Sequence, residues 1–360
     1  MFDCLEYMTK HDHEQVLLCH DRATELRAII GVHNTTLGPG LGGIRLWRYD
    51  CCDSAILDVL RLSEGMTFKA AVAELPLGGG KAVVLADGRE SDPGLRADRF
   101  RALGRFIEGL GGQYIAAEDV GTTPSDMMAV RSETSHVVGL PLEAGGSGDP
   151  SPVTALGVLY GMQALVEEVM GVRNFRGLHV AIQGLGKVGM TLAEHLIEKD
   201  AFVTGCDVNP ERETIAGGLG VRLVAPERIY AVPCDIFSPC ALGAVLNDLT
   251  IPELRCRIVA GAANNQLAED RHVFALQRKG IVYGVDYVIN AGGLINVAHE
   301  VNRPYDHASA LQMTGRIYNT TKRMLESAQR EGITTVEAAR RIALERLEHE
   351  SLSAHRDLTH

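Results

Sequence analysis

The chain has 360 residues, of which 46% are apolar and 22% charged, with a formal net charge of −11. This composition is typical of a soluble globular protein long enough for two domains of ordinary size. The negative charge argues against nucleic acid or an anionic membrane surface as the main partner.

The N-terminal sequence, the length of the apolar runs and the cysteines indicate in which cellular compartment the protein is expected. The N-terminus has no basic segment followed by an apolar run, and no apolar run approaches the ~20 residues of a membrane span. The eight cysteines are scattered, with no C-x-x-C pair and no Cys/His spacing suited to a metal. We therefore expect a cytoplasmic protein with reduced thiols and no metal site, and we expect His11 and His13 at the surface.

The first part of the chain is predicted to alternate strands and helices. Predicted strands cover 14–19, 26–33, 82–86 and 113–121, and predicted helices run from about Asp53 towards Lys69 and over 98–110. Between the second strand and the first helix, residues 37–45 contain five Gly or Pro residues among nine. This segment is either a plain loop or a loop whose bare backbone approaches a ligand closely.

Two lysines are unusual in their surroundings. Lys69 and Lys81 lie in an apolar and glycine-rich stretch, and only Glu74 between them supplies a countercharge. A buried lysine has a lowered pKa because burial disfavours its charged form, and a base or carbonyl-activating group needs that property near neutral pH. Alternatively, Lys81 is an ordinary lysine that extends from a glycine turn at the start of a strand. The residues alone leave both interpretations open.

Two carboxylates, Glu118 and Asp119, come at the end of the predicted strand 113–121. Strand ends are where α/β folds expose reactive groups, although such a pair also serves as a helix cap or a turn.

A domain boundary is predicted near the middle of the chain. Residues 141–152 form a run rich in Gly, Pro and Ser, which is typical of a boundary or a hinge. We predict one domain over 1–145 and a second over 146–330, with C-terminal helices of about 330–360 joining the first.

The second domain contains a dinucleotide-binding pattern. A predicted helix over 153–170 precedes a strand over 178–183, a glycine loop, a helix to about residue 199 and a strand over 201–206. The loop is G-x-G-x-x-G and consists of Gly184, Leu185, Gly186, Lys187, Val188 and Gly189. Its glycines allow a tight turn, a close approach of the backbone to a pyrophosphate, and packing of the helix on the strand. The pyrophosphate would lie at the helix N-terminus.

The acid that follows the second strand indicates which dinucleotide is bound. Asp207 would accept hydrogen bonds from the adenosine ribose hydroxyls and repel a 2′-phosphate, which favours NAD over NADP. Later strands are predicted at 235–237, 257–262 and 280–283, and helices from 308 to about 350. This alternation predicts a doubly wound parallel sheet whose strand ends line the nicotinamide. Asn264 and Asn290 at these ends are either site residues or caps and turn formers.

Eight short motifs together resemble a known family. They are LGPGLGG from residue 37, GMTFK from 65, LGGGK from 77, AEDVGTT from 117, QGLGKVG from 183, PCALG from 239, GAANNQ from 261 and NAGG from 290. In sequence and order they resemble the Glu/Leu/Phe/Val amino-acid dehydrogenases over about residues 12–350, and most of all the members that act on leucine, valine and phenylalanine.

The resemblance implies a fold and an activity. We expect an α/β protein with an N-terminal substrate and oligomerisation domain, a Rossmann NAD-binding domain and an active-site cleft between them, assembled as a homo-oligomer (dimer to octamer). The implied reaction is the reversible NAD-dependent oxidative deamination of leucine, valine, isoleucine or another apolar L-amino acid to the 2-oxo acid, ammonium and NADH. A phenylalanine dehydrogenase and a non-catalytic NAD-binding homologue are the alternatives.

The resemblance also implies catalytic roles. Lys69, with the backbone of Gly42 and Gly43, matches the group that binds the substrate carboxylate. Lys81 matches the lysine of lowered pKa that activates water and polarises the carbonyl. Asp119 matches the aspartate that contacts the substrate amine and assists proton transfer. The three glycines before Lys81 would let substrate and cofactor come close to it.

The lining of the site is implied in the same way. The side-chain pocket is matched by Leu41, Ala117, Leu294 and Val297. The nicotinamide half of the cofactor is matched by Thr154, Cys240, Ala241, Asn290 and Asn264 or its neighbour Asn265, with Asn264 also near the substrate. No second cation is evident for a side-chain carboxylate, so an apolar substrate is expected. Leucine-specific members carry valine in place of Leu294, and the extra methylene would narrow the pocket in favour of valine or 2-aminobutyrate.

Overall fold

The structure, a computed structural model, describes residues 2–301 and 304–357 and consists of two compact units. The first unit is made of Met1–Asp149, Val297–His307 and Ala343–His360, and the second of Pro150–Asn296 and Ala308–Ile342.

The first unit contains a five-stranded mixed sheet with helices on both faces. Its elements are α1 (Cys4–His11), β1 (Gln15–Asp21), β2 (Leu26–Asn34), β3 (Gly40–Trp47), α2 (Cys52–Val72), β4 (Gly78–Leu85), α3 (Pro93–Glu108), β5 (Tyr114–Glu118) and α4 (Pro124–Arg131). The strand order is β1-β2-β4-β3-β5. β2 is antiparallel to both β1 and β4, whereas β4, β3 and β5 are parallel.

Strand alternation divides the core of this unit between the two faces of the sheet. Ile29 and Val83 pack with Ala55 and Val59 of α2, while the adjacent Ile30 packs with the buried residues of α3 and α4. Successive side chains of a strand point to opposite faces of the sheet, so a strand made only of apolar residues can bury side chains on both faces.

One predicted loop is a strand. Residues 37–45 were interpreted as a loop, but β3 begins at Gly40 and runs between β4 and β5. A Cβ on Gly42 would lie 1.8 Å from the carbonyl oxygen of Gly80, so the glycine permits close pairing inside the sheet. Glycine is uncommon in strands, and here the close approach of neighbouring backbone overrides that propensity.

The three glycines before Lys81 also have a packing role. A Cβ on Gly78 would lie 1.9 Å from the carbonyl oxygen of Asn34, and one on Gly79 would lie 2.2 Å from the amide nitrogen of Thr67. A Cβ on Gly80 would lie 2.5 Å from the ring of Tyr114. The space beside these glycines is filled by the protein, and the expectation that they admit substrate and cofactor was wrong.

The histidines near the N-terminus form a partly buried cluster, in contrast to the surface position predicted for His13. His13 is buried, and its Nε2 lies 2.9 Å from the carbonyl oxygen of Leu60 in α2. His33 is also buried, with Nδ1 2.8 Å from the Thr67 hydroxyl and Nε2 2.9 Å from the carbonyl oxygen of His11. The cluster therefore joins α1 and β2 to α2.

Acid is expected to destabilise the protein through His33. Burial lowers the pKa of His33 to about 4, whereas a histidine in the unfolded chain has a pKa of about 6.5. The stability that depends on neutral His33 is present above pH ~6.5 and is lost as the pH falls towards ~4, and it amounts to about 2 kcal/mol between pH ~7 and pH ~5. Urea midpoints at the two pH values should differ less in His33→Gln than in the wild type. The same change at the exposed His20 should leave the difference as it was, and an unaltered difference in His33→Gln would refute the assignment.

The second unit contains a six-stranded parallel sheet. From the boundary onwards the chain forms α5 (Ser151–Met170), β6 (His179–Gln183), α6 (Lys187–Glu198), β7 (Phe202–Cys206), α7 (Pro210–Gly218), β8 (Arg222–Leu223), β9 (Ile236–Pro239), β10 (Ile258–Val259), α8 (His272–Arg278), β11 (Val282–Tyr283), α9 (Asp286–Ile289), α10 (Gly292–Ala298), α11 (His307–Gly315), α12 (Ile317–Glu331) and α13 (Thr335–Asp357). The strand order is β11-β10-β9-β6-β7-β8. Counted from β6, this is the 3-2-1-4-5-6 order of the doubly wound nucleotide-binding fold, and the predicted fold class is confirmed.

The long apolar helix of this unit is a core helix. By length and composition, α5 is the one helix among residues 2–301 and 304–357 that could cross a membrane. It packs against α6, α9 and α12, and Val158, Met162 and Leu165 are fully buried.

The C-terminal return to the first unit comes later than predicted. The return was placed at about residue 330, but α12 packs on α5, where Tyr318 hydrogen-bonds to Glu167 and Lys322 lies 3.2 Å from the same carboxylate. The chain returns to the first unit briefly over Val297–His307, and the C-terminal part joins that unit from Ala343.

A single arginine fixes the returning helix to the first unit. The Arg346 guanidinium donates to the carbonyl oxygens of Ala71 and Leu75 at 2.8 Å, and to that of Ala70 at 3.2 Å. These carbonyls come at and after the end of α2, where they have no partner within the helix.

Candidate active site

Lys81 and Asp119 are brought together by the first sheet. Lys81 lies within β4 and is buried, and its Nζ is 3.0 Å from Oδ2 of Asp119. Asp119 comes directly after β5, and its amide donates to the Thr122 hydroxyl at 2.9 Å, which fixes the turn. A Cβ on Gly43 would lie 2.6 Å from the Asp119 Cβ, so a glycine in β3 makes room for the carboxylate.

Arg45 is part of the same cluster. Its Nε lies 3.0 Å from Oδ2 of Asp119, and its Nη1 lies 3.2 Å from Oδ2 of Asp58 in α2. The Tyr49 hydroxyl donates to that Asp58 oxygen at 2.6 Å. Arg45, Asp58 and Tyr49 were not among the residues predicted from the sequence. Had residues 37–45 been recognised as a strand, the pairing of Ile44 with Glu118 would have placed Arg45 beside Asp119.

The electrostatics of the cluster favour an easily deprotonated lysine beside an ionised aspartate. Burial lowers the pKa of Lys81, a shift that Asp119 opposes and the Arg45 cation reinforces. Burial would raise the pKa of Asp119, but the charges of Lys81 and Arg45 outweigh it and hold that pKa below its usual value. Lys81 and Arg45 therefore share the Asp119 carboxylate, and Lys81 itself is buried.

Both cations converge on one oxygen of Asp119. Within the described part of the chain, the ion pairs and hydrogen bonds of this side chain all end at Oδ2, and the side chain remains 18% exposed. Oδ1 is therefore the oxygen that can accept a hydrogen bond from a ligand.

Lys69 and the Gly42–Gly43 backbone lie in the same region. Lys69 is in the last turn of α2 and is partly buried. Met66, one turn earlier, reaches Gly42, since a Cβ there would lie 3.3 Å from its Cγ. Residues three apart share a helix face, so Lys69 is on the side of α2 that faces β3. The Tyr114 hydroxyl donates to the Gly42 carbonyl oxygen at 2.8 Å and fixes this backbone.

Three of the four predicted pocket residues belong to the first unit. Leu41 and Ala117 are buried in β3 and β5, and Val297 is nearly buried. A Cβ on Gly139 would lie 3.7 Å from Val297 and 4.0 Å from the amide nitrogen of Glu118, so Val297 is close to the end of β5. The fourth, Leu294, is buried in the second unit.

The glycine loop has the geometry of a dinucleotide site. Gly184 has a φ of +94°, and a Cβ there would lie 2.7 Å from that of Ala241. A Cβ on Gly189 would lie 2.0 Å from the Gly184 carbonyl oxygen, so the third glycine lets α6 pack on β6. Gly186 is the N-cap of α6, a Cβ there would lie 3.8 Å from Nη1 of Arg212, and Lys187 and Val188 form the first turn. The N-terminal amides of α6 suit a pyrophosphate.

Asp207 stabilises this loop. Its Oδ2 accepts the amide of Leu185 at 2.8 Å and its Oδ1 accepts the amide of Asn209 at 2.9 Å. The carboxylate is 5% exposed. It therefore ties the glycine loop to the end of β7, next to the place where a ribose would bind.

The remaining predicted cofactor residues form a second group in this unit. Asn290 donates to the carbonyl oxygen of Ala262 at 3.0 Å and to Oδ1 of Asn264 at 2.8 Å, while its own Oδ1 is buried with no partner among the described residues. The Thr154 hydroxyl would lie 2.6 Å from a Cβ on Gly293. The unsatisfied Asn290 oxygen suits a donor such as the carboxamide of a nicotinamide.

Cys240 and Ala241 follow β9, and Cys240 Sγ lies 3.4 Å from the Ser238 hydroxyl. Ala241 contacts the first glycine of the loop. These contacts, together with the position of Gly186 at the start of α6, fit a bound dinucleotide.

One His and carboxylate cluster resembles a metal site but has other partners. Asp248, Glu269 and His272 lie together. His272 Nδ1 accepts the amide of Glu269 at 3.0 Å, so a neutral ring carries its proton on Nε2, which faces Asp248 at 3.4 Å. Arg271 donates to both carboxylates. A protonated ring nitrogen does not bind a metal.

The fold and these sites define a class, the nicotinamide-dependent dehydrogenases. A family model described as "Glu/Leu/Phe/Val dehydrogenase, dimerisation domain" matches residues 13–136, and one described as "Glutamate/Leucine/Phenylalanine/Valine dehydrogenase" matches residues 145–209 and 211–354. The chain belongs to this family. It is an amino-acid dehydrogenase and its cofactor is NAD.

Its relatives include enzymes for several substrates. A leucine dehydrogenase of Bacillus cereus is 48% identical over 96% of this chain and 93% of its own length. A phenylalanine dehydrogenase of Caldalkalibacillus thermarum is 45% identical over 94% of this chain and 92% of its own. The crystal structure of L-tryptophan dehydrogenase from Nostoc punctiforme matches with a TM-score of 0.85 and 43% identity, covering 96% of this chain and 99% of that one.

Proposed function

We propose that the chain catalyses the reversible oxidative deamination of branched-chain L-amino acids (leucine, valine and isoleucine) with NAD+. The observation that carries this is the contact of the buried Lys81 with Asp119, whose carboxylate Arg45 also holds. This contact supports the proposal because deamination requires a proton-transfer group, here assigned to Lys81, and an acceptor for the amine, here assigned to Asp119.

In this proposal the lysines have separate roles. Lys69, with the backbone amides at Gly42 and Gly43, binds the substrate carboxylate and orients the α-carbon. Asp119 accepts a hydrogen bond from the substrate amine through Oδ1. A bound nicotinamide would supply the acceptor for the hydride of the α-carbon. Lys81 takes a proton from the water that attacks the imine carbon and returns a proton to the amine nitrogen, so that the carbinolamine can break down to the 2-oxo acid and ammonium.

Cofactor placement follows from the second unit. The pyrophosphate would bind to the amides of α6 at Gly186, and Asp207 would receive the adenosine ribose. Asn264, Asn290 and Thr154 would hold the nicotinamide half.

The apolar character of the assigned pocket supports the substrate class. Leu41, Ala117, Leu294 and Val297 offer no partner for a polar side chain, and a hydrophobic pocket discriminates mainly by size. The larger Leu294 would favour valine relative to leucine. An aromatic substrate is the second candidate, because relatives of similar identity are named for phenylalanine and tryptophan.

A panel of amino acids tests the proposal. We expect kcat/KM with NAD+ for leucine, valine and isoleucine to exceed that for phenylalanine and tryptophan by about tenfold or more, the difference that pocket size commonly supports. NADH formation and ammonium release should be equimolar. A higher kcat/KM for phenylalanine or tryptophan would overturn the branched-chain assignment while leaving the family unaffected.

Assembly and compartment are part of the proposal. The family model over residues 13–136 describes a dimerisation domain, so we expect a homo-oligomer. The scattered free cysteines suit a reducing cytoplasm.

A further inference from the structure

An exposed arginine lies beside the proposed ribose site. Arg212 is in the first turn of α7, and its Nη1 lies 3.7 Å from Oδ2 of Asp207. The same nitrogen would lie 3.8 Å from a Cβ on Gly186, the middle glycine of the loop. The Arg212 side chain is 51% exposed, so its guanidinium can turn towards a ligand without losing buried contacts.

Both carboxylate oxygens of Asp207 already have partners within the protein. Its two oxygens accept the amides of Leu185 and Asn209, and Arg212 pairs with Oδ2. An acid at this position favours NAD because it binds ribose hydroxyls and repels a 2′-phosphate, whereas a nearby arginine accommodates that phosphate. This chain has both groups, and the arginine is the more exposed of the two, at 51% against 5% for the acid.

Other charged groups near this position are mixed. The Glu213 carboxylate accepts the amide of Asp207 at 3.3 Å, and Glu211 lies in the same turn as Arg212. Lys187 begins α6 beside Gly186. Arg212 lies between these acidic residues, and it is the cation of α7 that can offset the negative charge of a phosphate.

We propose that Arg212 is a cofactor-specificity residue that binds the 2′-phosphate of NADP(H), so that the enzyme accepts NADP(H) as a second, weaker cofactor. The inference rests on the proposed cofactor placement at Gly184–Gly189. Arginine suits this role because its guanidinium forms paired, charge-assisted hydrogen bonds with phosphate oxygens.

Two nucleotide probes separate this role from general cofactor binding. Calorimetric titration with ADP-ribose and with 2′-phospho-ADP-ribose reports binding without turnover, and these probes differ by the 2′-phosphate alone. In Arg212→Ala, the Kd of 2′-phospho-ADP-ribose should rise about tenfold or more, as loss of a charge-assisted pair implies, while the Kd of ADP-ribose stays within about twofold. Arg212→Lys should recover part of the loss. The exposed Arg176 of the same unit is the control, and Arg176→Ala should change neither Kd.

Four results would overturn the inference. If ADP-ribose and 2′-phospho-ADP-ribose weaken equally in Arg212→Ala, the side chain serves the pyrophosphate or the adenine. If neither changes, it takes no part in binding. If the wild type binds ADP-ribose but not 2′-phospho-ADP-ribose, only the 2′-phosphate role fails. If the wild type does not bind ADP-ribose, the cofactor placement itself fails as well.

Discussion

Replacing Lys81 by alanine is expected to lower kcat for leucine deamination by about 10³-fold or more while NADH still binds. General base catalysis by a positioned side chain commonly contributes about 10²–10⁴-fold, and Lys81 has the lowered pKa that the role requires. The substitution also leaves Asp119 with Arg45 as its remaining cation. Initial rates of NADH formation at saturating leucine measure the loss, and the quenching of protein fluorescence by NADH measures binding.

An exposed lysine provides the control for this variant. Lys10 is on the surface of the same unit, and Lys10→Ala should retain wild-type kcat. If Lys81→Ala keeps more than about a tenth of wild-type kcat, the base is another group. If it loses NADH binding in the same proportion as activity, the defect is structural and the role assigned to Lys81 is not supported.

Replacing Asp119 by asparagine is expected to lower kcat/KM by about 10²–10⁴-fold. The substrate amine would lose its anionic acceptor, and Lys81 and Arg45 would face each other in a buried site without the carboxylate they share. Because Asp119 raises the pKa of Lys81 more than Asp58 does, its loss should lower that pKa further. The acid limb of the pH profile should therefore move to lower pH.

A substitution at the neighbouring Glu118 tests whether the position of the Asp119 carboxylate matters or only the negative charge of the segment. Glu118 precedes Asp119 and is exposed at the end of β5. Glu118→Gln removes the same charge from the same segment and should leave kcat/KM within about threefold of wild type. Equal losses in Glu118→Gln and Asp119→Asn would mean that the general acidity of this segment matters, and would count against a specific role for Asp119.

The second unit could be predicted well from the sequence because the residues that define its cofactor site are close together in the chain. Gly184, Gly186, Gly189 and Asp207 fall within one strand–helix–strand segment, and parallel crossovers have a fixed hand. The sequence did not show that both carboxylate oxygens of Asp207 would accept hydrogen bonds from backbone amides. That arrangement depends on how the turn after β7 folds back on the loop.

The first unit was harder to predict because its site is non-local. Lys81 meets Asp119 only because β3 lies between β4 and β5, an order that differs from the order of the strands in the chain. Arg45 is 74 residues from Asp119 in the sequence, and it lies in a segment whose glycines indicated a loop. The roles of both lysines were implied by the family resemblance, since spacing indicated only that their surroundings were unusual.

Two predictions based on glycine content were wrong for the same physical reason: the loop at residues 37–45 and the room for ligand beside Gly78–Gly80. In Gly42 and in Gly78–Gly80 the missing side chain leaves room for backbone, for Thr67 or for Tyr114. A sequence shows that a Cβ is absent but does not show which neighbour occupies the space. Protein atoms fill it here, so the strands around Lys81 are closely packed.

The central claim is that Lys81, beside Asp119 and Arg45, is the group whose deprotonation permits the reaction. The most direct test is the pH dependence of kcat/KM for leucine in the wild type and in Arg45→Gln. The wild-type profile should rise with a pKa below 10.5, the ordinary value for lysine. Removing the Arg45 cation, which lowers the pKa of Lys81, should move that rise to higher pH. A rise at the same pH in both proteins, or a shift to lower pH in Arg45→Gln, would contradict the account.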